Sequence, residues 1–394
     1  MELINVKLEG DTLTVFLQGH IDSSNAGTLE KEIDQARQEN PAQHLVLDAQ
    51  DLVYIPSAGL RVLLRLRKIY PDLKVINVSS EVYEILDMTG FTEMLDVSKA
   101  YRVIDVEGCE VIGQGANGKV YRIDPDTIAK VYFNPDALPD IQRERDLART
   151  ALVLGIPTAI PYDVCKVASG GYASVFELLN AKSFGKLLQE DPNSLDEVVR
   201  MSVELLKQIH ATEVKPDSMP DMKAVALDWA DFLRDYLPAE QWQKLHNLVD
   251  AVPEDHHMMH GDYHLKNVML QNGEVLLIDM DTLCYGHPVF EFASIYNAYQ
   301  GYSELDHDNE LQFLGITYET GAKFWSKTLE LYFEGRSPEE IQAINEKAQV
   351  VGYTRIMRRT IRRNGLNTED GRAVIENCRR HLEELLAKVD SLVF

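Results

Sequence analysis

The chain has 394 residues, 45% of them hydrophobic and 26% charged, which is ordinary for a soluble protein with two or three domains. Its net charge of −24 argues against nucleic acid or an anionic membrane as a partner, because either would need a basic surface. The sequence shows no apolar run of about 18 residues, no signal-peptide pattern, and four scattered cysteines that fit neither a zinc site nor a disulfide framework. We therefore expect a cytoplasmic protein.

Strands alternate with helices in residues 1–99, which predicts a small α/β domain. Four apolar runs indicate strands, at residues 3–8, 12–17, 45–47 and 73–78. Three segments with apolar residues at helical spacing begin at serines, which are typical helix starts, at residues 23–24, 57 and 79–80.

Three short segments of this region carry a resemblance to a known family. They are Gly-His-Ile-Asp at residues 19–22, Leu-Asp at 47–48 and Ile-Pro-Ser-Ala-Gly-Leu-Arg at 55–61. With them, nearly all of residues 1–98 resembles a STAS domain, the fold of anti-anti-sigma factors. In that family, a serine at the position of Ser57 is reversibly phosphorylated and controls partner binding. The resemblance implies a regulatory phosphorylation site at Ser57 and a protein partner for this domain.

Two roles are open for Ser57. A helix N-terminus offers free backbone N–H groups and a favourable dipole to an added phosphate, which agrees with a phosphoacceptor. Pro56 stands where the family often has aspartate. The alternative is a simple N-cap, which would stabilise the helix by about 1 kcal/mol.

A glycine-rich stretch opens the next region. Gly113, Gly115 and Gly118 form the pattern Gly-x-Gly-x-x-Gly, followed by Val120. A Rossmann site needs a helix directly after the glycines, but Pro125 would break such a helix. Because another strand-like run follows, the pattern predicts a β-hairpin that covers the phosphates of ATP, as in kinases. The three glycines and Val120 are therefore predicted to contact the nucleotide.

Lys130 lies within the apolar strand that follows the glycines. A lysine in such a place needs a counter-charge or an anionic ligand, which favours a role on the nucleotide phosphates over a lysine that reaches solvent from an edge strand. Glu144 is the predicted partner and Asp146 the alternative. Residues 175–179, which include Glu177, are predicted to connect two lobes and to hold adenine.

The central stretch is His-Gly-Asp-Tyr-His-Leu-Lys-Asn at residues 260–267. Strand-like runs on both sides of an Asn-Gly pair at 272–273 predict a hairpin. Folding this hairpin brings Asn267 beside Asp279 at its open end. Their oxygens are hard ligands suited to Mg²⁺ that carries nucleotide phosphates. Asp262 lies upstream, where it could take the proton of an attacking hydroxyl.

The connection between Asp281 and a predicted helix at 290–299 is short. It leaves no room for the long activation segment of protein kinases. This favours a small-molecule hydroxyl, or a tethered one, as the phosphoryl acceptor. The central histidines could suggest a metal site, but Gly261 and the hairpin disfavour a two-histidine helix, and His260 is expected to brace the loop.

Roughly residues 105–390 resemble the aminoglycoside phosphotransferase and choline kinase group of kinase-like enzymes. The resemblance implies ATP and Mg²⁺ as cofactors, with Lys130 on the phosphates and Asp262 as the catalytic base. It also implies Asn267 and Asp279 as magnesium ligands. Two further expectations are that Asp281 assists the metal and that Glu291 is structural.

We therefore predict a fusion of the α/β and α+β classes. A STAS domain at residues 1–99 precedes a bilobal protein-kinase-like domain, with an N-lobe at 100–180 and a helical C-lobe at 181–394. The predicted activity is ATP- and Mg²⁺-dependent transfer of the γ-phosphoryl group to an unknown hydroxyl-bearing acceptor, coupled to the STAS domain. Two alternatives are a serine/threonine kinase that acts on Ser57 or a partner protein, and a non-catalytic, ATP-sensing regulator of the anti-sigma factor antagonist type.

Five arginines form a basic stripe at helical spacing: Arg355, Arg358, Arg359, Arg362 and Arg363. In so acidic a chain, we expect acidic neighbours to pair with them. The alternative is that the stripe binds a phosphorylated or carboxylated ligand, or an acidic surface.

Overall fold

The computed structural model describes residues 3–115, 117–216 and 218–394. The chain divides into two compact units, Met1–Ile104 and Asp105–Phe394. Each unit has a hydrophobic core of its own, and the two cores share no residue. In the described part of the chain, no helix combines the length and the apolar character that a membrane span requires.

The first unit alternates strands and helices as predicted. Its strands are β1 (Ile4–Glu9), β2 (Thr12–His20), β3 (His44–Tyr54), β4 (Lys74–Val78), β5 (Asp96–Lys99) and the short β6 (Val103–Ile104). Its helices are α1 (Ala26–Glu39), α2 (Ser57–Ile69), α3 (Ser80–Met88) and α4 (Phe91–Met94).

One five-stranded sheet organises this unit, in the order β1-β2-β3-β4-β5. β1 and β2 are antiparallel, and the other neighbouring strands are parallel. Leu13, Val15 and Leu17 alternate along β2 and are buried, because successive side chains of a strand point to opposite faces. Leu29 of α1 and Leu63 of α2 belong to the same core. The small α/β domain is confirmed.

The second unit begins with antiparallel strands and one helix. These elements are β7 (Glu110–Gln114), β8 (Gly118–Asp124), β9 (Thr127–Tyr132), α5 (Leu138–Val153), β10 (Pro161–Val167) and β11 (Tyr172–Glu177). The strands lie in the order β10-β11-β9-β8-β7, and all of these neighbours are antiparallel. The hairpin predicted for the glycine-rich stretch is confirmed as β7 and β8.

The rest of the second unit is mainly helical. Its helices are α6 (Phe184–Glu190), α7 (Leu195–His210), α8 (Met222–Phe232), α9 (Ala239–Asp250), α10 (Val289–Tyr296), α11 (Asp308–Leu314), α12 (Tyr318–Tyr332), α13 (Pro338–Arg362) and α14 (Glu369–Leu386). Its short strands are β12 (Lys182–Ser183), β13 (Met258–Met259), β14 (Val268–Gln271), β15 (Glu274–Leu277) and β16 (Cys284–Tyr285). The helix predicted at 290–299 is α10, and its last turn continues as a π-helix, Asn297–Gly301.

The hairpin predicted around the Asn-Gly pair is present, since β14 pairs with β15 in register Val268 to Leu277. The structure also shows a capping box at the start of α13, in which the side chains of Ser337 and Glu340 accept from each other's backbone N–H groups. The mixed α/β and α+β class is confirmed, while the boundaries at residues 99 and 180 stay predictions.

Candidate active site

Lys130 of β9 joins elements that are distant in the sequence. Its Nζ donates to Glu144 Oε1 of α5 and to Asp279 Oδ1, both at 2.8 Å. Glu144, and not Asp146, is therefore the partner, as the sequence predicted. Burial lowers the pKa of Lys130, but the charges of Glu144 and Asp279 outweigh it and raise that pKa above its usual value. Lys130 is thus a fixed ammonium group.

Glu144 is the most buried carboxylate of this group, with 3% of its side chain exposed. It also accepts a hydrogen bond from the Tyr132 hydroxyl. Burial raises the pKa of Glu144 to about 7, although the charge of Lys130 acts in the opposite direction. Glu144 therefore titrates close to neutral pH.

The glycines of the β7–β8 hairpin differ in what they contact. A Cβ atom at Gly118 would lie 2.3 Å from the carbonyl oxygen of Val131, so the neighbouring strand excludes any side chain there. Gly113 and Gly115 have no such close contact with described atoms. Val120 pairs with Lys130 across β8 and β9. The close pairing of β8 with β9 explains why residue 118 is a glycine. Gly113 and Gly115 remain the candidates for contact with phosphate.

The loop at residues 260–262 is held by buried groups. Glu291 of α10 is fully buried, and its carboxylate accepts the backbone N–H groups of His260 at 2.5 Å and Gly261 at 3.0 Å. His260 contacts Ile278 O through Nε2 at 3.1 Å and accepts from the N–H of Asp262 through Nδ1. The structural role expected for Glu291 and the bracing role of His260 agree with these contacts.

Gly261 is required for this loop by its backbone. Its φ of +79° lies in the left-handed region, and a Cβ atom there would lie 2.4 Å from the carbonyl oxygen of Thr282. The close approach holds the loop against the segment that follows Asp279.

Asp262 is held in its ionised form. Burial raises its pKa, but hydrogen bonding and charge from His264 and the charges of Arg355 and His260 dominate and lower it to about 2. His264 Nε2 lies 3.4 Å from Asp262 Oδ2. The Asp262 side chain is still 41% exposed, so a substrate can reach it.

Asn267 lies where the hairpin prediction placed it, at the open end beside Asp279. Its backbone carbonyl accepts from Ile278 N at 2.9 Å, and its side-chain amide nitrogen donates to Asp262 O at 3.0 Å. The amide nitrogen thus contacts the loop at residues 260–262, which leaves the amide oxygen for a cation.

Asp279 and Asp281 add carboxylates next to Asn267. Asp279 has φ +65°, a conformation that is uncommon for residues other than glycine and that is often found at functional sites. Its side chain is 43% exposed, and one of its oxygens contacts Lys130. Burial and the charge of Asp279 raise the pKa of Asp281.

These residues fit Mg²⁺ bound together with phosphates. No group of three or more His, Cys, Asp or Glu side chains within residues 3–115, 117–216 and 218–394 is placed to hold a metal ion. Magnesium in phosphoryl-transfer sites is commonly bound by one or two carboxylates and by substrate phosphates. Asn267, Asp279 and Asp281 supply oxygen donors of that kind.

Glu177 ends β11 at the predicted connection between lobes. Its carboxylate accepts from the N–H of Ile160 at 3.3 Å, and its own N–H donates to Ile160 O. The side chain therefore shapes the backbone at this connection, where a role in holding adenine would belong to main-chain atoms.

The basic stripe on α13 is only partly paired, so the expectation of acidic partners is wrong for most of it. Arg358 forms an ion pair with Asp228 at 2.7 Å. Among the described residues, the other four arginines have no carboxylate within 4.0 Å.

Arg355 is a site residue that the sequence analysis did not assign. Its Nη1 donates to Gly261 O at 3.3 Å and to Ser294 Oγ at 2.8 Å, and Ser294 Oγ donates to Gly261 O at 2.9 Å. Its charge helps to keep Asp262 ionised. The stripe was visible in the sequence, but the pattern could not say which arginine faces the loop.

Ser57 belongs to the first unit and is the first residue of α2. The N-cap alternative is wrong, because Pro56 occupies the N-cap position and provides no side-chain cap hydrogen bond. The Ser57 side chain is exposed. Its hydroxyl is accessible at a helix N-terminus.

Comparison with protein families identifies two regions of the chain. Residues 108–326, more than half of the chain, match the model of the phosphotransferase enzyme family. Residues 4–105 match the model of the STAS domain. Both resemblances predicted from the sequence are confirmed.

Two proteins are similar to the STAS region. The putative anti-sigma factor antagonist BtrV of Bordetella bronchiseptica is 35% identical over 104 residues, which cover 25% of this chain and 88% of that protein. The anti-sigma F factor antagonist of Paenibacillus polymyxa is 28% identical over 89 residues, which cover 22% of this chain and 76% of that protein.

A solved structure supports the fold of the second region. It is a thermostable mutant of aminoglycoside phosphotransferase APH(4)-Ia in a ternary complex with ADP and hygromycin B. The TM-score is 0.51 at 13% identity, and the match covers 72% of this chain and 94% of that chain. At this identity, the likeness shows a shared fold.

Proposed function

Since the chain belongs to the phosphotransferase enzyme family and carries a STAS domain ahead of the matching region, we propose that it transfers the γ-phosphoryl group of ATP to a hydroxyl group of a small molecule. In this proposal, Lys130 binds nucleotide phosphates, Asp262 is the catalytic base, and Asn267 and Asp279 hold Mg²⁺. The STAS domain regulates the protein through Ser57.

One observation carries the proposal, namely the contact between Lys130 and Asp279. The two residues are 149 positions apart in the sequence, yet Nζ and Oδ1 are 2.8 Å apart. A phosphate group that replaces the Asp279 carboxylate on Lys130 would meet an ammonium group that Glu144 already holds in place. The same exchange would release the Asp279 carboxylate for a metal ion.

Asp262 would act mainly by orienting the acceptor. With a pKa of about 2, its carboxylate is a weak base that accepts a hydrogen bond from the acceptor hydroxyl. As the hydroxyl oxygen forms its bond to the γ-phosphorus and the bond to the ADP oxygen breaks, the hydroxyl becomes acidic and its proton passes to Asp262. Arg355 and His264 stabilise the carboxylate before this step.

Mg²⁺ would be held by Asn267 and Asp279, with Asp281 as a further donor. When bound, the ion neutralises charge on the phosphates. Burial and, after it, the charge of Asp279 raise the pKa of Asp281. Asp281 suits this role because a divalent cation would relieve the repulsion between the two carboxylates.

The acceptor is expected to be small. Only residues 283–288, which include the short strand β16, connect the 3-10 turn after Asp279 to α10. No long segment therefore lies beside Asp262 in this stretch to serve as a platform for a peptide. This argument favours an alcohol group of a metabolite over a protein side chain.

The proposal can be tested with the Asp262→Asn variant, which keeps the size of the side chain and removes its charge. We expect turnover of ATP with an alcohol acceptor to fall by about 10²–10⁴-fold. Binding of Mg-ADP, measured by calorimetry, should stay within about threefold, because Lys130, Asn267 and Asp279 are unchanged. Acceptors would be found by following ATP consumption over a panel of hydroxylated metabolites.

The matched control is Asp250→Asn, which removes the same charge from an exposed position at the end of α9. It should keep wild-type turnover. Full activity in the Asp262→Asn variant would exclude the catalytic assignment. Wild-type protein that binds Mg-ADP but consumes no ATP with any alcohol would favour the ATP-sensing regulator instead.

A second candidate function is phosphorylation of Ser57 by the same chain. The accessible hydroxyl on the first turn of α2 favours it as an acceptor. Intact-mass measurement after incubation with Mg-ATP would detect it. A gain of one phosphate that needs both Ser57 and Asp262 would support self-phosphorylation, and no gain of mass would exclude it.

A further inference from the structure

A cavity of about 260 Å³ lies between α13, α14 and the turn that follows the π-helix. None of the candidate active-site residues lines it. One side is apolar and includes Leu305, Ile356 and Val374, while Arg359 of α13 and Arg363, which directly follows α13, line another side. The cavity therefore combines an apolar surface with two guanidinium groups.

Arg363 caps the C-terminus of α13, and its backbone N–H donates to Arg359 O at 3.1 Å, so the two arginines lie one turn apart. One turn of helix rises about 5.4 Å, so both guanidinium groups can reach one anion. The Arg359 guanidinium lies over the ring of Tyr302, 4.7 Å from its centroid, which restrains it at the cavity. This stacking leaves the N–H groups at the edge of the guanidinium free to donate.

Neither arginine is neutralised within the described part of the chain. No carboxylate there lies within 4.0 Å of Arg359 or Arg363. Glu304 is used elsewhere, since its carboxylate accepts from Tyr353 and Asn377 and contacts His381. Both side chains are exposed, so their charges are accessible to an anion from solution.

We propose that this cavity binds the phosphate group of a small molecule, with Arg359 and Arg363 as the ligands of the phosphate and the apolar side in contact with the carbon part. Arginine binds phosphate through paired N–H groups, which makes it well suited to a dianion. The volume is somewhat below the range of about 300–1,000 Å³ that is usual for drug-sized ligands, so a small phosphate ester is the expected class. The site is separate from the phosphoryl-transfer site and does not depend on its activity.

Calorimetric titration of the full chain with phenyl phosphate tests the proposal. Saturating Mg-ADP is present throughout, so that the nucleotide site does not compete for the probe. We expect wild type to bind phenyl phosphate more tightly than inorganic phosphate, because the ring adds apolar contact, and not to bind phenol. Arg363→Gln should weaken binding of phenyl phosphate by about tenfold or more, since hydrogen bonds to charged groups contribute about 1.5–3 kcal/mol.

Two matched variants separate this result from general effects. Arg362→Gln removes the same charge from the preceding position, the last residue of α13, which does not line the cavity. It should change the affinity by less than about twofold. Arg359→Gln should weaken binding as Arg363→Gln does. Absence of phenyl phosphate binding by wild type, or equal weakening in the Arg362→Gln variant, would overturn the proposal. Loss of turnover in the Asp262→Asn variant concerns the other site only.

Discussion

Glu144 is the residue whose protonation should control the activity near neutral pH. Its pKa of about 7 lies well above the usual value because the side chain is buried. As the pH falls below about 7, Glu144 becomes neutral and Lys130 keeps only Asp279 as a counter-charge. We therefore expect kcat/KM for ATP to fall about tenfold per pH unit on the acidic side, and to be level above neutral pH.

The Glu144→Gln variant tests this titration, because glutamine mimics the neutral acid at every pH. Its kcat/KM should be low and flat between about pH 5.5 and 7.5. Glu310→Gln is the matched control, since burial also raises the pKa of Glu310 to about 7 and that residue lies on α11. In this control, kcat/KM should still fall as the pH is lowered below about 7. An acidic limb that persists without Glu144 would contradict the prediction.

Asp262 should contribute nothing to the fall of kcat/KM below about pH 7. Its pKa of about 2 keeps it ionised throughout the range in which the protein can be assayed. The two carboxylates thus differ by about five units through their surroundings, since Glu144 is buried against a hydroxyl and one ammonium group, while Asp262 faces His264, His260 and Arg355.

At the scale of elements, the starts of α2 and α3 provide a direct comparison. Ser79 is the N-cap of α3 and accepts from Val82 N at 3.3 Å, whereas Ser57 follows the N-cap of α2. We expect Ser79→Ala to lower the free energy of unfolding of the first unit by about 1 kcal/mol, and Ser57→Ala to lower it by less than about 0.5 kcal/mol. Urea unfolding of the full chain, followed by circular dichroism, would measure both.

A large loss of stability in the Ser57→Ala variant would show that the hydroxyl has a structural role and would weaken its assignment as a regulatory site. Equal, small effects in both variants would mean instead that the cap on α3 contributes little. The comparison therefore separates a residue that is exposed for modification from one that stabilises its helix.

The arginines of α13 and its C-terminus contact three different places. Residues four apart on a helix lie on nearly the same face, and the face turns slowly along the axis. Arg355 contacts the loop of Asp262, Arg358 pairs with Asp228, and Arg359 and Arg363 line the cavity. A regular stripe in the sequence is thus divided among three environments.

At the scale of the whole molecule, the separate cores predict separable folding. We expect a fragment of residues 100–394 to fold alone, because the two hydrophobic cores share no residue. In calorimetry, Mg-ADP should raise the Tm of one unfolding transition of the full chain. The fragment should show the same transition and the same rise in Tm. Ligand at 100 times its Kd should stabilise that unit by about 2.7 kcal/mol.

Comparison of the fragment with the full chain also tests what the STAS domain contributes. A fragment that aggregates, or that no longer responds to Mg-ADP, would show that the second unit needs the first. A fragment with unchanged affinity for Mg-ADP but altered turnover would locate the influence of the STAS domain in catalysis.

Short-range patterns were sufficient for much of the candidate site. The hairpin around Asn272 followed from its turn residues, and Lys130 was recognisable because a lysine inside an apolar strand needs a partner. The alternation of strands and helices in residues 1–99 determined the class of the first unit, since these signals depend on residues close in sequence.

Only the tertiary structure decided which distant groups meet. The contact of Lys130 with Asp279, the engagement of Gly261 by Arg355 and the opening of a cavity beside Arg359 all depend on how separate elements pack. The same holds for pKa values, because burial and neighbouring charges place Glu144 near 7 and Asp262 near 2 although both are ordinary acids in the sequence. Local sequence specifies turns and periodicity, whereas packing specifies the environment of each charge.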